Sequence, residues 1–371
     1  MAKHNSHITL CATSDLVTDQ RMMRICQALH DADFEVELIG RILPNSLPLV
    51  PQPYKQTRLS CYFHKGKFFY IEYAIRLFVK LLYQKTNVIN AVDLDTIAPV
   101  WIAARLRSRA CTYDAHEYFT EVPEVTNRRF TKFVWERIAA FLIPRMDACY
   151  TVGAALANVF SMRYSVPFAT VRNMATFKNI NKSSLSANIE LPRIILYQGV
   201  LNVGRGLEAS IAAMQHIKNA ELWIAGDGDI RDSLQAQVVA MQLQDCVKFL
   251  GKLRPDGLQA LTLKAHIGLN LLENRGLSYY YSLANKTFDY IQAGVPAIHA
   301  QFLEYQVLNQ QYNIGILLAE LQPTPLANAI NQLLNDDELY SLIQQNCFTA
   351  AQVLSWDNEK EALVSIYKKY F

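Results

Sequence analysis

Short apolar runs alternate with segments of helical period from one end of this chain to the other. Residues 7–12 (HITLCA) are the first run. Residues 20–32 follow, with Met22, Ile25, Cys26 and Leu29 recurring at helical spacing. Residues 34–39 alternate and end at Gly40 and Arg41, which reads as a second strand. A βαβ start of this kind implies a parallel sheet with helices covering it, because parallel neighbours are joined by long crossovers. The pattern predicts further strands over 59–63, 87–91, 110–114 and 148–152, and helices over 68–84, 97–107, 130–143 and 153–164. It breaks over 173–191, a polar stretch rich in Asn, Ser and Lys. It resumes with strands over 193–198, 221–225, 247–249, 267–272, 297–299 and 315–318, interleaved with helices, and ends on a charged amphipathic helix over 357–371.

A chain of 371 residues is long for one core. The expected fold class is therefore α/β, with two doubly wound Rossmann-like domains facing a cleft, a favoured place for ligands. The expected division is residues 1–172 plus 357–371, a connection over 173–191, and residues 192–356. Hydrophobic residues are 51% and charged residues 19%, which excludes a disordered chain, and a net charge of +3 is too small to argue for nucleic acid. Seven cysteines lie scattered without a CxxC pair, as expected of buried free thiols in a reducing compartment. The opening MAKHNSH lacks the apolar core of a signal peptide, and no apolar run is long enough to span a membrane. A soluble cytoplasmic protein is expected. Residues 65–85 and 128–145 interleave Phe, Tyr and Trp with Lys and Arg; such helices either lie on an anionic membrane surface or pack on the sheet with charges outward.

The richest stretch is 273–296, ENRGLSYYYSLANKTFDYIQAGVP. It leaves a buried strand through a polar loop and enters a short helix, the place where open α/β sheets hold ligands. Asn285 reads as the helix cap, Lys286 opens the first turn, and Asp289 follows; Glu273 stands on the loop. A cation beside helix-start amides suits a phosphate, and carboxylates suit sugar hydroxyls, so the combination points to a nucleotide-sugar. YQGVLNVGRGL over 197–207 places Gly199 and Gly204 beside Arg205, which offers close backbone approach to an anion and a bidentate fork. GDGD over 226–229 is a weaker glycine motif, with Asp227 or Asp229 most simply a helix cap. DAHE over 114–117 puts His116 between acids at a strand end, suited to binding or proton transfer. No HExxH or cysteine pair at ligand spacing is present, and no metal is expected; the DxD match at Asp93 and Asp95, DLD, reads as a strand end and helix cap. A serine hydrolase and a P-loop NTPase are disfavoured, since neither GxSxG nor GxxxxGK[ST] occurs.

Taken together, these motifs resemble a GT-B fold retaining glycosyltransferase of the family-four-like group that includes bacterial surface-polysaccharide enzymes. The most specific part is SLANKTFDYIQAGVPAI, similar to the family's Ser-Pro-x-Lys, Glu-Tyr and Ala-Gly-x-Pro-Val pattern. The resemblance implies that Asp289 stands for the glutamate holding ribose, that Glu273 serves the donor sugar, and that DAHE is the amino-terminal His loop. It implies that Gly199, Gly204 and Arg205 belong to the diphosphate loop, and that Gly226 and Gly251 line the nucleotide pocket. The final helix resembles one that crosses back onto the first domain. Departures are Asp for Glu at 289, sixteen positions between the two acids, Val200 where an arginine is expected, and SDLVTDQR in place of a glycine-rich acceptor loop.

The implied activity is hexosyltransferase-like transfer from a nucleotide-diphosphate sugar to an acceptor hydroxyl, glycan or lipid-linked. His116, Glu273 and Arg205 would be catalytic; Gly199, Gly204, Arg205, Gly226, Gly251, Asn285, Lys286 and Asp289 would bind the donor. A nucleotide-sugar epimerase and a non-catalytic scaffold on the same fold remain as alternatives.

Overall fold

The computed structural model describes residues 6–17, 19–174 and 192–371. The chain divides into two units, Met1–Asn173 with Glu359–Phe371, and Met174–Asn358. The expected connection over 173–191 lies, from 175 onward, outside the described residues, as does most of the opening MAKHNSH.

The first unit runs β1 (His7–Cys11), α1 (Gln20–Asp31), β2 (Glu35–Arg41), β3 (Lys55–Leu59), α2 (Gly66–Tyr83), β4 (Val88–Val92), α3 (Leu94–Leu106), β5 (Ala110–Ala115), α4 (Pro123–Thr126), α5 (Arg129–Leu142), β6 (Ala148–Thr151), α6 (Ala154–Tyr164) and β7 (Phe168–Thr170). Its sheet has the order β3-β2-β1-β4-β5-β6-β7, all parallel. Central β4, VINAV, is buried throughout, as a strand covered on both faces must be. Asp19 caps α1 by accepting from the Met22 N–H at 3.1 Å. The strand expected over 59–63 is instead β3, which ends at Leu59. Beyond it the N–H groups of Tyr62 and Phe63 donate to the Glu72 carboxylate at 2.9 and 3.0 Å, so this backbone is satisfied by a side chain and not by a ladder.

The second unit runs β8 (Arg193–Gln198), α7 (Leu207–Ala213), β9 (Ala220–Ala225), α8 (Arg231–Ala240), β10 (Val247–Gly251), α9 (Pro255–Thr262), β11 (Ile267–Asn270), α10 (Leu277–Tyr280), α11 (Asn285–Ala293), β12 (Ala297–Ala300), α12 (Leu303–Tyr312), β13 (Gly315–Leu318), α13 (Pro323–Asn335) and α14 (Asp337–Val353). Its parallel sheet has the order β10-β9-β8-β11-β12-β13. A last helix, α15 (Trp356–Lys368), enters the first unit at Glu359. There its Glu359 carboxylate accepts from Arg172 N and Nη1 at 2.7 and 2.9 Å, and Tyr367 Oη meets Tyr150 Oη at 3.0 Å in the core.

Strand order reverses at one place in each sheet, between β1 and β4 and between β8 and β11. Diverging loops leave a crevice at such a point. In the second unit α11 lies close over β11 because Gly268 has no side chain; a Cβ there would fall 2.5 Å from the Tyr290 ring. Tyr290, fully buried, then donates to Leu196 O at 2.9 Å and ties α11 to β8. All seven cysteines are free thiols, six of them buried.

Candidate functional site

The reversal between β8 and β11 gathers most of the residues singled out in the sequence. Gly199, Gly204 and Arg205 follow β8, Gly226 follows β9, Gly251 ends β10, Glu273 follows β11, and α11 begins at Asn285. The four glycines hold φ of +141°, +86°, +151° and +68°, values that residues with a Cβ rarely adopt. Backbone hydrogen bonds lace these loops together: Gly199 N to Ala225 O at 2.9 Å, Gly226 N to Gly251 O at 2.8 Å, and Glu273 N to Gly204 O at 3.0 Å.

Two cations face this glycine edge. Lys286 Nζ lies 3.9 Å from the Tyr197 ring centroid and 3.3 Å from where a Gly199 Cβ would stand. Arg205 lies over the Tyr279 ring at 5.4 Å, and its buried Nε has no hydrogen-bond partner among the described residues. Among the described residues neither forms an ion pair. Burial, followed by the nearby Arg205 charge, pushes the Lys286 ammonium down to about 7. A half-buried lysine beside an arginine is a cost that an anion would remove.

Asp289, on α11 one turn after Lys286, is held through a chain that runs from the end of α9 by way of the end of β8. Thr262 Oγ1 donates to Gln198 Oε1 at 2.8 Å, and Gln198 Nε2 donates to Asp289 Oδ2 at 2.7 Å. The start of α11 is fixed from two further sides: Tyr305 Oη accepts from Ala284 N at 3.1 Å, and Asn270 Nδ2 donates to Thr287 Oγ1 at 3.0 Å. Neither Gln198, Thr262 nor Tyr305 was singled out in the sequence. A polar residue ending an apolar strand was the one available signal for Gln198 and for Asn270.

Two sequence expectations are corrected, and a third holds in position without its bond. Asn285 is not the helix cap: Ala284 holds that position without a side-chain bond, and Asn285 is the exposed first residue of α11. Asp227 and Asp229 do not cap α8 either, since Ile230 is at the cap; Asp227 instead accepts from Gly228 N at 3.0 Å and pairs with Arg231 at 3.5 Å. Asp93 occupies the cap position of α3 but makes no cap bond. Its Oδ1 accepts from His116 N at 2.9 Å, which holds the start of the His116 loop. The segment between the two acids forms the short helix α10 and carries Tyr279 over Arg205, while Glu273 pairs with Arg275 at 2.7 Å.

His116 lies in the first unit, beyond β5. Its Nε2 meets Asp114 Oδ2 at 2.9 Å, and its Nδ1 lies 3.9 Å from Asp93 Oδ2. Asp114, fully buried, is clamped by Arg21, whose Nη2 and Nε donate at 2.8 and 3.3 Å. Burial disfavours a charged His116, yet Asp114 and Asp93 outweigh it and raise the imidazole to about 8. Burial likewise opposes the Asp114 charge, but Arg21 and His116 hold its carboxyl below the ordinary range. This histidine is thus an imidazolium near neutral pH with its ring direction set. Thr13 donates to Asp95 at 2.6 Å across the reversal between β1 and β4.

A search of solved structures finds sucrose-phosphate synthase of Thermosynechococcus elongatus at a TM-score of 0.80, 17% identical and covering 98% of both chains. Anabaena HepE, solved in complex with UDP-glucose, gives a TM-score of 0.74 at 14% identity, covering 98% of this chain and 99% of that one. The fold is GT-B. Within this GT-B chain, residues 192–336 match the family described as Glycosyl transferases group 1. An uncharacterized glycosyltransferase of Methanocaldococcus jannaschii is 28% identical over 181 residues, a match spanning 47% of this chain and 45% of that protein.

Proposed function

We propose that this protein is a retaining glycosyltransferase that moves a sugar, hexose-like, from a nucleotide-diphosphate donor to an acceptor hydroxyl in glycan or surface-polysaccharide biosynthesis. The observation that carries this reading is the pair Arg205 and Lys286, two cations without an ion pair among the described residues, beside a glycine edge at the reversal of the second sheet. Their positions suit a diphosphate, and their charge would stabilise the diphosphate as it leaves. Asp289, aligned by Gln198, would accept from ribose hydroxyls, and Glu273 would serve the donor sugar. His116, held as an imidazolium by Asp114, is assigned to the sugar end of the reaction. No protein nucleophile is assigned: the leaving phosphate helps to take the acceptor proton, and attack on the same face gives retention. The UDP-glucose bound to HepE supports the donor class, and the family matched by residues 192–336 supports the reaction type. The reading needs no metal and places the enzyme in the cytoplasm, with a glycan or lipid-linked acceptor.

A thermal-shift panel of UDP-, GDP-, ADP- and CDP-sugars without added metal tests the donor site. One nucleotide is expected to raise Tm by mass action, with the rise lost in Asp289→Ala. A folded protein that responds to no donor would count against the proposal, and so would a response that appears only with divalent metal.

A further inference from the structure

Two helices of the first unit, both packed against α3, turn apolar residues outward. In α2 the buried residues are Phe69, Tyr73, Leu77 and Leu81, four apart, which seat the helix on the sheet. The opposite stripe of a surface helix is ordinarily polar. Here it is Phe68, Ile71, Ile75 and Val79, each 48–58% exposed, with Tyr62 and Phe63 exposed just before the helix. In α5 the same occurs: Ala139 and Leu142 are buried, while Phe130, Phe133, Val134 and Phe141 face out. The helices touch where the Tyr70 ring packs edge-on against Trp135 at 5.6 Å, and α3 packs against both.

Charge along these two helices is uneven as well, although Lys80 and Lys132 pair with Glu37 and Glu121 outside them. Residues 65–85 carry five basic residues and one acid, and so do residues 128–145, a net +8 where the whole chain has +3. The rest of the molecule is therefore net acidic. Cations stand beside the exposed rings: Lys67 at 5.2 Å from Phe68, Arg137 at 5.1 Å from Phe133, and Arg145 at 3.9 Å from Phe141. Among the described residues no helix is long and apolar enough to cross a membrane.

We propose that the face formed by α2 and α5 docks on an anionic bilayer, its rings entering the headgroup boundary and its Lys and Arg side chains pairing with lipid phosphates. An apolar stripe flanked by cations is the pattern of a helix lying in that interface. A second copy of the chain fits less well, because two such faces would oppose net charges of like sign. The proposal does not depend on the donor-site reading.

Cosedimentation of the full chain with phosphatidylcholine vesicles, with and without phosphatidylglycerol, tests it. The protein is expected to pellet with the anionic vesicles, less so at high salt, and to remain in solution with phosphatidylcholine alone. Lys67→Gln with Arg129→Gln should lower the partition coefficient roughly thirtyfold. Ile71→Ser with Phe133→Ser should abolish pelleting, with Tm unchanged in both variants because all four residues are exposed. Indifference of the wild type to anionic vesicles, or variants that bind as well as it does, would overturn the proposal. So would a dimer in sedimentation equilibrium that Ile71→Ser with Phe133→Ser converts to monomer, since the face would then join two copies.

Discussion

A lysine with burial around it and a guanidinium nearby holds its proton loosely, and Lys286 sits at about 7 for that reason. A bound diphosphate would restore its ordinary affinity for the proton. Donor binding should therefore take up a proton above pH 7, and donor affinity should fall as pH rises past 7. Calorimetry of donor binding in buffers of different ionisation enthalpy reads this uptake directly. Lys286→Arg, charged at every pH, should bind without it; a wild type that binds without proton uptake would contradict the assignment. His116 has the opposite sign. Its pKa is raised from 6.5 to about 8, so its stabilisation is complete below 6.5 and lost as pH rises through 8. The linkage amounts to about 2 kcal/mol. The Tm gap between wild type and His116→Gln should accordingly close as pH rises from about 6 to about 9. A gap that is constant with pH would show that the Asp114 contact does not set the charge.

At the scale of elements, α11 and the strand beneath it carry the site, and their closeness rests on Gly268. Gly268→Ala should cost about 1–3 kcal/mol by forcing Tyr290 away from β11. It should also weaken donor binding, because Lys286 and Asp289 ride on the same helix; a variant with unchanged Tm would refute the packing argument. How legible such elements were depended on their place in the sheet. Helix α11 could be read because its apolar period ends at Gly294, which takes the left-handed φ of +67°. Strand β3 could not: KQTRL pairs on one side only, at the sheet edge, and carries no apolar signature, while the apolar residues after it are fixed by Glu72. Asn285, Asp227 and Asp93 each fit a local rule for a cap bond that none of them makes, although Asp93 does stand at the cap position. For the last two, another backbone N–H was the better partner.

For the molecule as a whole, the alternation of strand and helix was legible, and it led to the two parallel sheets. Strand order was not, because reversal of the order is a tertiary choice that local periodicity does not record. The same limit applies to the site. Gly199, Gly204 and Arg205 share one motif that the sequence displays, Lys286 and Asp289 share another far along the chain, and the fold gathers the two at one reversal. Gln198 and Asp289 are 91 residues apart, Arg21 and Asp114 are 93 apart, and nothing local couples either pair. The central claim is transfer of a sugar from a nucleotide-diphosphate donor. It is tested most directly by following release of the nucleotide diphosphate with and without an acceptor hydroxyl, and by reading the sugar's anomeric configuration in the product by NMR. Release should depend on the acceptor, the transferred sugar should keep its configuration, and Arg205→Ala should be slower by about 100-fold or more. A sugar epimerised without any acceptor, or an Arg205→Ala variant as fast as wild type, would contradict it.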